Sequence, residues 1–223
     1  MLNRRTRALW AKKSRESQDE RWLPLYVHMS DATEVAKLLW HHWVPSCTKR
    51  KIYQGIFKSK VVSFDFEDTA LPCFIFLTAG HDLGKATPAF QGRFNDSEFD
   101  SLLYNQISEA GLSLSNNIHP HEARHYWSSQ LILEKHGFSR KLAVILGGHH
   151  GQPPSYKQLN DLHTAYKKDL GWGKGQETWD EVQEILLEYA LSLAGVTKQE
   201  AKSWQPDITA QVLLSHYGRL DCK

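Results

Sequence analysis

The sequence predicts an all-α fold, and three observations support this prediction. Apolar residues recur at the spacing of helix faces through most of the chain, and capping signals precede several of these segments. The alternation that is typical of strands is almost absent. The shares of apolar (41%) and charged (23%) residues are those of a globular protein, which excludes a disordered chain, collagen-like repeats and a coiled coil.

The first two helices are predicted from their start and stop signals. Asp31-Ala32-Thr33-Glu34 has the pattern of a capping box, which would open a helix that Pro45 ends. The next helix is expected to begin near Thr69, with Pro72 in its first turn, and to run to about His81. This second helix is apolar almost all round, so we expect it to be buried.

The later helices are predicted by the same rules. We expect them at 120–137 with Pro120 in the first turn, at 141–147 after the cap Ser139, from the capping box at 178–181 to Gly195, and from Ile208 onwards. Loops are expected at 46–68, 86–118 and 151–176. Residues 59–66 alternate weakly and are predicted to form one short hairpin arm.

Length and composition suggest one domain inside the cell. The first 21 residues carry seven Lys or Arg against three acids, so residues 1–20 are predicted to be a basic, solvated lead-in and 21–223 the domain. The longest nearly apolar stretch, 70–80, is too short to cross a bilayer, and no signal peptide is recognisable. Three cysteines without a Cys-x-x-Cys pair indicate reduced thiols, so we expect a cytoplasmic protein without a membrane partner.

Histidine is the unusual residue, with 12 copies against 2 methionines. Most of these histidines fall in four windows at or beside predicted helix boundaries: His28; His81 with Asp82; His119, His121 and His125; and His149 with His150. Side chains at the ends of separate helices can converge on one point. We therefore expect these windows to share a site, with His119 and His125 outside its ligand set.

The His81-Asp82 pair at the end of the apolar helix indicates a metal. A buried aspartate would be costly there without a ligand to neutralise it. A divalent metal meets that need, and imidazoles with a carboxylate are normal ligands of Mn, Fe, Co, Ni or Zn. His149 and His150 stand in Gly147-Gly148-His149-His150-Gly151, where glycines allow a tight turn, and add two more imidazoles.

Gly80-His81-Asp82-Leu83-Gly84-Lys85 resembles the His-Asp-x-Gly-Lys signature of the HD superfamily of metal-dependent phosphohydrolases. The order of the four windows is similar to that of the HD nuclease domain of the type I CRISPR interference nuclease-helicase. The resemblance extends from about residue 20 to the C-terminus. It implies an all-α HD-domain helical bundle with a two-metal site where helix ends converge.

The resemblance also implies a role for each matching residue. One metal would be held by His28, His81 and Asp82, and the other by Asp82, which bridges the two, with His121, His149 and His150. Asp221 is the nearest match to a late aspartate of the family, although Cys222 follows it where the family has a tryptophan. Lys85 matches a lysine that would lie near a substrate phosphate, so Asp82 and Lys85 are the catalytic candidates. The ions would be two divalent transition metals, with Mn, Fe, Ni or Co favoured over Mg or Zn.

The function implied is a metal-dependent DNA endo- or exonuclease that acts preferentially on single strands in CRISPR interference. Two metals would clamp the attacking and leaving oxygens of the phosphodiester. Implied partners are single-stranded DNA, a helicase and an RNA-guided surveillance complex. The chain has no Gly-x-x-x-x-Gly-Lys-Ser/Thr motif, so the helicase motor would lie outside it. Lys49, Arg50, Lys51 and Arg93 are weak candidates for nucleic-acid contacts.

Three other functions remain open at this point. An HD phosphohydrolase of nucleotides would use the same ligands. His121-Glu122-Ala123-Arg124-His125 also matches the His-Glu-x-x-His pattern of zinc peptidases, which would leave the other windows without a role. The third alternative is a nucleic-acid-binding module that has kept the fold and lost the chemistry.

Overall fold

The computed structural model describes residues 1–14, 20–94, 98–114 and 118–217. These residues form helices, one 3₁₀ turn and one two-stranded antiparallel ribbon. The elements in chain order are α1 (Arg4–Ala8), β1 (Trp10–Lys13), β2 (Trp22–Pro24), α2 (Leu25–His42), α3 (Ser46–Phe57), α4 (Phe66–Gly80), the 3₁₀ turn (Leu83–Lys85), α5 (Pro88–Gln91), α6 (Glu98–Glu109), α7 (His125–Lys135), α8 (Arg140–Gly147), α9 (Tyr156–Ala165), α10 (Glu177–Ala194), α11 (Lys198–Ser203) and α12 (Ile208–Tyr217). The predicted all-α class is confirmed.

Helix α4 lies at the centre of the fold. Its consecutive residues Phe74, Ile75, Phe76 and Leu77 are all buried, which confirms the expectation from its apolar sequence. Helices α2, α3, α8 and α10 pack around it. The helix begins at Phe66, three residues before the predicted start. Its C-terminal end, which carries the His81-Asp82 pair, therefore lies deep inside the domain.

Helix α2 begins earlier than predicted. It starts at Leu25 after Pro24, so the capping pattern at 31–34 lies inside the helix and that prediction is wrong. The backbone N–H of Leu25 donates to the carbonyl of Leu9 over 2.8 Å, which ties the start of α2 to the N-terminal segment. The added turns contribute Leu25 and His28 to the interior.

Residues 1–14 are packed against the domain and do not form the solvated lead-in that their charge predicts, and residues 15–19 of that prediction lie outside the described residues. Asn3 caps α1, and β1 pairs with β2. Leu9 is fully buried and Trp10 is 5% exposed. The hairpin thus lies here, whereas residues 59–65 form bends and turns and carry no strand. The prediction for this segment was based on its charged residues alone and left out the apolar residues that lie between them.

The predicted loops contain helices as well. Helix α3 lies in 46–68, α5 and α6 lie in 86–118, and α9 lies in 151–176. Helices α3, α6 and α9 are rich in polar residues, although their apolar residues recur at helical spacing, so the loop prediction followed polarity and overlooked this periodicity. Ser155 does form a capping box with Gln158 at the start of α9, a signal that the sequence carried.

The C-terminal helices follow their predicted signals more closely. Ser139 caps α8 by accepting a hydrogen bond from the Leu142 N–H, as predicted. Helix α10 begins at Glu177, so Thr178 lies inside the helix and the predicted capping box at 178–181 is wrong. The helix ends at Ala194, before Gly195, whose φ of 69° is the left-handed conformation that suits glycine. Helix α12 begins at Ile208. No helix in the described part of the chain is both long and apolar enough to cross a bilayer.

Gln91 fastens the hairpin to the centre of the domain. Its side chain accepts from the Trp10 N–H (3.2 Å) and donates to the carbonyls of Trp10 and Lys85 (both 2.8 Å), and it is fully buried. Three backbone groups from two elements thus depend on one amide. This position requires a side chain that both donates and accepts.

We expect Gln91→Met to lower the free energy of unfolding by about 2–4 kcal/mol, because the volume is kept while buried backbone groups lose their partners. Urea denaturation followed by far-UV circular dichroism measures the change. The exposed Gln152 provides the control, and Gln152→Met should stay within about 0.5 kcal/mol of wild type. A Gln91→Met protein as stable as wild type would contradict the role given to this amide.

Candidate metal centre

Four helix segments bring imidazoles to one point in the domain. His28 comes from α2, His81 and Asp82 follow α4, His125 opens α7, and His149 and His150 follow α8. Within the described residues, two groups have ligand atoms that lie within 4.8 Å of one another: His28, His81 and Asp82 form one, and His125, His149 and His150 form the other. We call them the first and second triads.

The ends of α4 and α8 position their histidines in the same way. The Nδ1 of His81 lies 2.7 Å from the carbonyl oxygen of Thr78, and the Nδ1 of His149 lies 2.7 Å from that of Leu146. Because a carbonyl only accepts, Nδ1 must carry the proton in both rings. The lone pair of each ring is therefore on Nε2, and a histidine ligand is usually held by this kind of hydrogen bond.

A close approach at Gly84 joins the two halves of the centre. A Cβ at this position would lie 1.9 Å from the carbonyl oxygen of His125, so only glycine fits. The Gly84 N–H donates to the hydroxyl of Ser129, which in turn donates to the His81 carbonyl, both over 2.8 Å. The 3₁₀ turn therefore packs directly on α7, and His125 is brought next to Asp82.

Asp82 presents one carboxylate oxygen to each triad. Its Oδ2 lies 2.9 Å from His28 Nε2 and 3.3 Å from His81 Nε2. Its Oδ1 lies 3.3 Å from His125 Nε2 and 3.7 Å from His149 Nε2. This is the arrangement of a bridging carboxylate.

Asp82 stays charged in the centre, whereas several of the surrounding imidazoles stay neutral. Burial alone would raise the pKa of Asp82, but the neighbouring His81, His28 and Lys85 hold it well below its usual value. Burial lowers the pKa of His149 to about 3 and also lowers that of His28 and of His125. These three rings are therefore uncharged near neutral pH, which is the state that binds metals.

The second triad contains features that a metal would satisfy. His149 Nε2 is buried and has no hydrogen-bond partner among the described residues, although its lone pair faces the cluster. The Nε2 atoms of His125 and His150 lie 3.0 Å apart. Two ligands at about 2.1 Å from one ion and at right angles to each other have about this separation. Nitrogen-rich ligand sets of this kind bind divalent transition metals better than they bind Mg²⁺.

His125 takes the place that the prediction gave to His121. Residues 120–122 form a turn, α7 begins at His125, and His121 is exposed and outside both triads. The turn is held at His119, whose N–H donates to Asp169 Oδ1 over 2.6 Å. Since His121 and His125 share no helix, the geometry of a zinc peptidase is also absent from this segment. The sequence window included both His121 and His125, but its spacing could not decide which of the two faces the centre.

The ring of Tyr126 is a further contact of the second triad that the sequence did not indicate. Its centroid lies 5.5 Å from that of His125, 5.8 Å from that of His149 and 5.0 Å from that of His150. Its hydroxyl lies 3.0 Å from Arg124 Nη1. In the sequence, this contact could have been suggested by the position of Tyr126 directly after His125.

Lys85 is close to Asp82 and buried. Its Nζ lies 2.6 Å from Asp82 Oδ2 and donates to the Ala11 carbonyl over 3.1 Å. The structure thus places the lysine on the carboxylate. Asp221, the remaining ligand candidate, lies outside the described residues.

The predicted nucleic-acid contacts divide between two ends of the molecule. Lys49 pairs with Glu67 over 2.6 Å, and the guanidinium of Arg50 lies 5.2 Å from the centre of the Phe66 ring. Both partners belong to the first turn of α4, whereas the metal centre follows its last. A helix of this length spans about 20 Å, so the basic residues of α3, including Lys51, are remote from the centre. Arg93 is the candidate on the side of the centre, 5.0 Å from the Phe90 ring.

Comparison with known families identifies the domain. Residues 10–218 match the family described as "Cas3, HD domain". The chain belongs to this family. The match covers the hairpin, both triads and α12, and it confirms the resemblance that the sequence motifs indicated.

Relatives of known sequence and structure agree with the assignment. The CRISPR-associated nuclease/helicase Cas3 of Streptococcus thermophilus is 33% identical over 219 residues, which are 92% of this chain and 23% of that protein. A crystal structure described as a CRISPR-associated protein has 26% identity and a TM-score of 0.75, with 97% of this chain and 22% of that chain covered. The chain thus spans less than a quarter of these relatives.

A third match covers a domain of similar extent. The Thermus thermophilus Cas3 HD domain, whose structure was determined in the presence of Ni²⁺, has a TM-score of 0.54 and 21% identity, with 99% of this chain and 78% of that chain covered. At this identity the match shows the fold alone. It confirms the HD-type all-α bundle for the present chain.

We expect His125→Ala to reduce the Mn²⁺ content from two ions per chain to one, because the second triad loses a ligand. Isothermal titration with Mn²⁺ and with Ni²⁺ measures the stoichiometry. His121→Ala is the matched control and should bind like wild type. The reverse result, in which only His121→Ala loses an ion, would restore the ligand set that the sequence predicted.

Proposed function

We propose that this HD domain is a metal-dependent DNA nuclease that hydrolyses phosphodiester bonds, preferentially in single strands, during CRISPR interference. The observation that carries the proposal is the position of Asp82, which presents one oxygen to each imidazole triad. Two divalent metals held this way suit an in-line displacement at phosphorus. Membership of the Cas3 HD domain family supports the same activity.

The residues of the chain set the geometry for this reaction. Asp82 fixes the distance between the triads, and Lys85 and His28 fix the orientation of its carboxylate. Bound metals would supply an activated nucleophile and stabilise the developing charge. His150 is exposed and His125 is partly exposed, whereas the first triad is buried. The phosphodiester therefore approaches from the side of the second triad.

In this proposal Lys85 is a positioning residue. Its ammonium group is 2.6 Å from Asp82 and is also bound to the hairpin, so it acts through the carboxylate. It balances part of the charge of Asp82. This differs from the direct phosphate contact that the resemblance implied for the lysine.

The cellular setting is part of the proposal. The Streptococcus thermophilus relative is a nuclease/helicase of which this chain matches 23%, so a helicase is the expected working partner. An RNA-guided surveillance complex would deliver the DNA. The free thiols Cys47 and Cys73 suit a reducing cytoplasm, and burial raises the pKa of the Cys73 thiol.

We expect the full chain to nick circular single-stranded DNA in the presence of Mn²⁺ or Ni²⁺, more slowly with Mg²⁺, and not in EDTA. Asp82→Ala should reduce cleavage to the EDTA level, because both triads lose their shared ligand. Conversion of circles to linear fragments on a denaturing gel measures the rate. Circles have no ends, so their cleavage also distinguishes an endonuclease from an exonuclease.

His41→Ala is the control for this experiment, since His41 is exposed near the end of α2 and belongs to neither triad. It should cleave at the wild-type rate. Equal cleavage by wild type and Asp82→Ala would overturn the two-metal mechanism. Hydrolysis of nucleoside phosphates without any cleavage of DNA would instead indicate a nucleotide phosphohydrolase.

A further inference from the structure

An open groove runs beside the metal centre along the hairpin. It has a volume of about 700 Å³ and is lined by β1, Ser14, Phe90 and Arg93. A second cavity of about 450 Å³ is lined by 92–94, Ile118, Pro120 and His121. Arg93 belongs to both. We call the two together the hairpin groove.

The hairpin groove adjoins the second triad. Phe90 forms part of its wall, and the centre of the Phe90 ring lies 5.6 Å from that of His125. Lys85 Nζ lies 5.3 Å from the same ring and donates to the carbonyl of Ala11, which also lines the groove. A chain lying in the groove would therefore pass the side from which a phosphodiester reaches the centre.

The charge of the groove is positive. Lys12, Lys13 and Arg93 line it, and no acidic residue is among the described lining residues. Lys13 pairs with the buried Asp100, so its charge is balanced. Lys12 is exposed, and the described part of the chain offers it no ion pair. The free positive charge of the groove thus comes from Lys12 and Arg93.

Two residues that line the groove also carry hydrogen-bond donors without a partner among the described residues. Arg93 donates through Nη2 to the Pro120 carbonyl over 2.9 Å, but its Nε has no partner within the described residues. Trp10 Nε1 is likewise buried without a partner there. Buried donors normally find an acceptor, and phosphate oxygens are acceptors that carry the matching charge.

The groove also offers an aromatic surface. Phe94 is only partly buried and lines the second cavity. The Nζ of Lys13, which lines the first cavity, lies 5.1 Å from the centre of the Phe94 ring. Proteins that bind single strands combine a basic groove along the backbone with rings on which bases stack. Both features occur here within one continuous surface.

We propose that the hairpin groove binds several successive nucleotides of a single strand and leads them to the second triad. Each of its two cavities has the size of a site for one small ligand, and Arg93 joins them, so the surface suits a polynucleotide better than a mononucleotide. Lys12 and Arg93 contact the phosphates. This inference rests on the proposed nuclease function and names the residues that hold its substrate.

Binding of oligothymidylates labelled with fluorescein tests the proposal. Fluorescence anisotropy is measured on the full chain in EDTA, so that no hydrolysis occurs, with strands of increasing length and over a series of salt concentrations. For wild type we expect affinity to rise with length beyond a single nucleotide. Lys12→Glu should weaken binding about tenfold and reduce the slope of log K against log salt by about 0.7, the value for one lost phosphate contact.

Lys51→Glu is the matched control, because it makes the same charge change at an exposed position of α3, remote from the groove. It should bind within about twofold of wild type. Equal losses in Lys12→Glu and Lys51→Glu would reveal only a general charge effect and would overturn the proposal. Unchanged binding by Lys12→Glu would overturn it as well. Thermal melting checks that both variants are folded.

Failure of the groove and failure of the nuclease can be told apart. If wild type cleaves circular DNA with Mn²⁺ but its binding does not depend on strand length or on Lys12, the groove proposal is wrong and the nuclease proposal is kept. If wild type neither cleaves nor binds strands, both proposals fall. Arg93→Lys provides a second variant, which keeps the charge and loses the guanidinium donors, and should weaken binding less than Lys12→Glu does.

Discussion

The buried carboxylate of Asp82 is the interaction on which the rest of the centre depends. The residue is 3% exposed, and the removal of a carboxylate from water costs several kcal/mol unless other groups compensate. Lys85, at 2.6 Å, supplies a nearby cation, and His28 supplies a hydrogen bond at 2.9 Å. The other carboxylate oxygen faces imidazoles whose rings are neutral, so a divalent cation there would complete the compensation.

The surrounding fold holds this carboxylate in place at the ends of helices. Backbone carbonyls at the ends of α4 and α8 accept the Nδ1 protons of His81 and His149, which fixes both tautomers and turns both Nε2 atoms inward. Gly84 then allows the 3₁₀ turn to touch the backbone of α7. A rigid apolar helix delivers the charged pair, and the terminal turns orient its partners.

The hairpin at the N-terminus connects the centre to the surface. Through Gln91 and Lys85 it is bonded to the same short segment that carries Asp82. Its basic residues line the groove beside the second triad. One structural element therefore supports the buried charge on its inner side and presents positive charge on its outer side.

The sequence by itself determined the all-α class, the buried helix before His81 and most of the side chains that the structure brings together at the centre. These features follow from local patterns: the apolar run of α4, the cap of α8 at Ser139, and the windows at His28, His81 and His149. Such signals depend on neighbours in the chain, so they can be read without the fold. The start of α2 and the hairpin depend on contacts with Leu9 and Gln91 far away in sequence, and their signals were weak or misleading.

Only the tertiary structure decided between His121 and His125. Both stand in one window at a spacing that suits a single helix face, and Pro120 favoured an early helix start. The bond from the His119 backbone to Asp169, 50 residues away, accompanies a turn at 120–122, and the approach of Gly84 to His125 sets where α7 begins to face Asp82. Which histidine joins the second triad is thus a consequence of long-range packing, which local patterns do not encode.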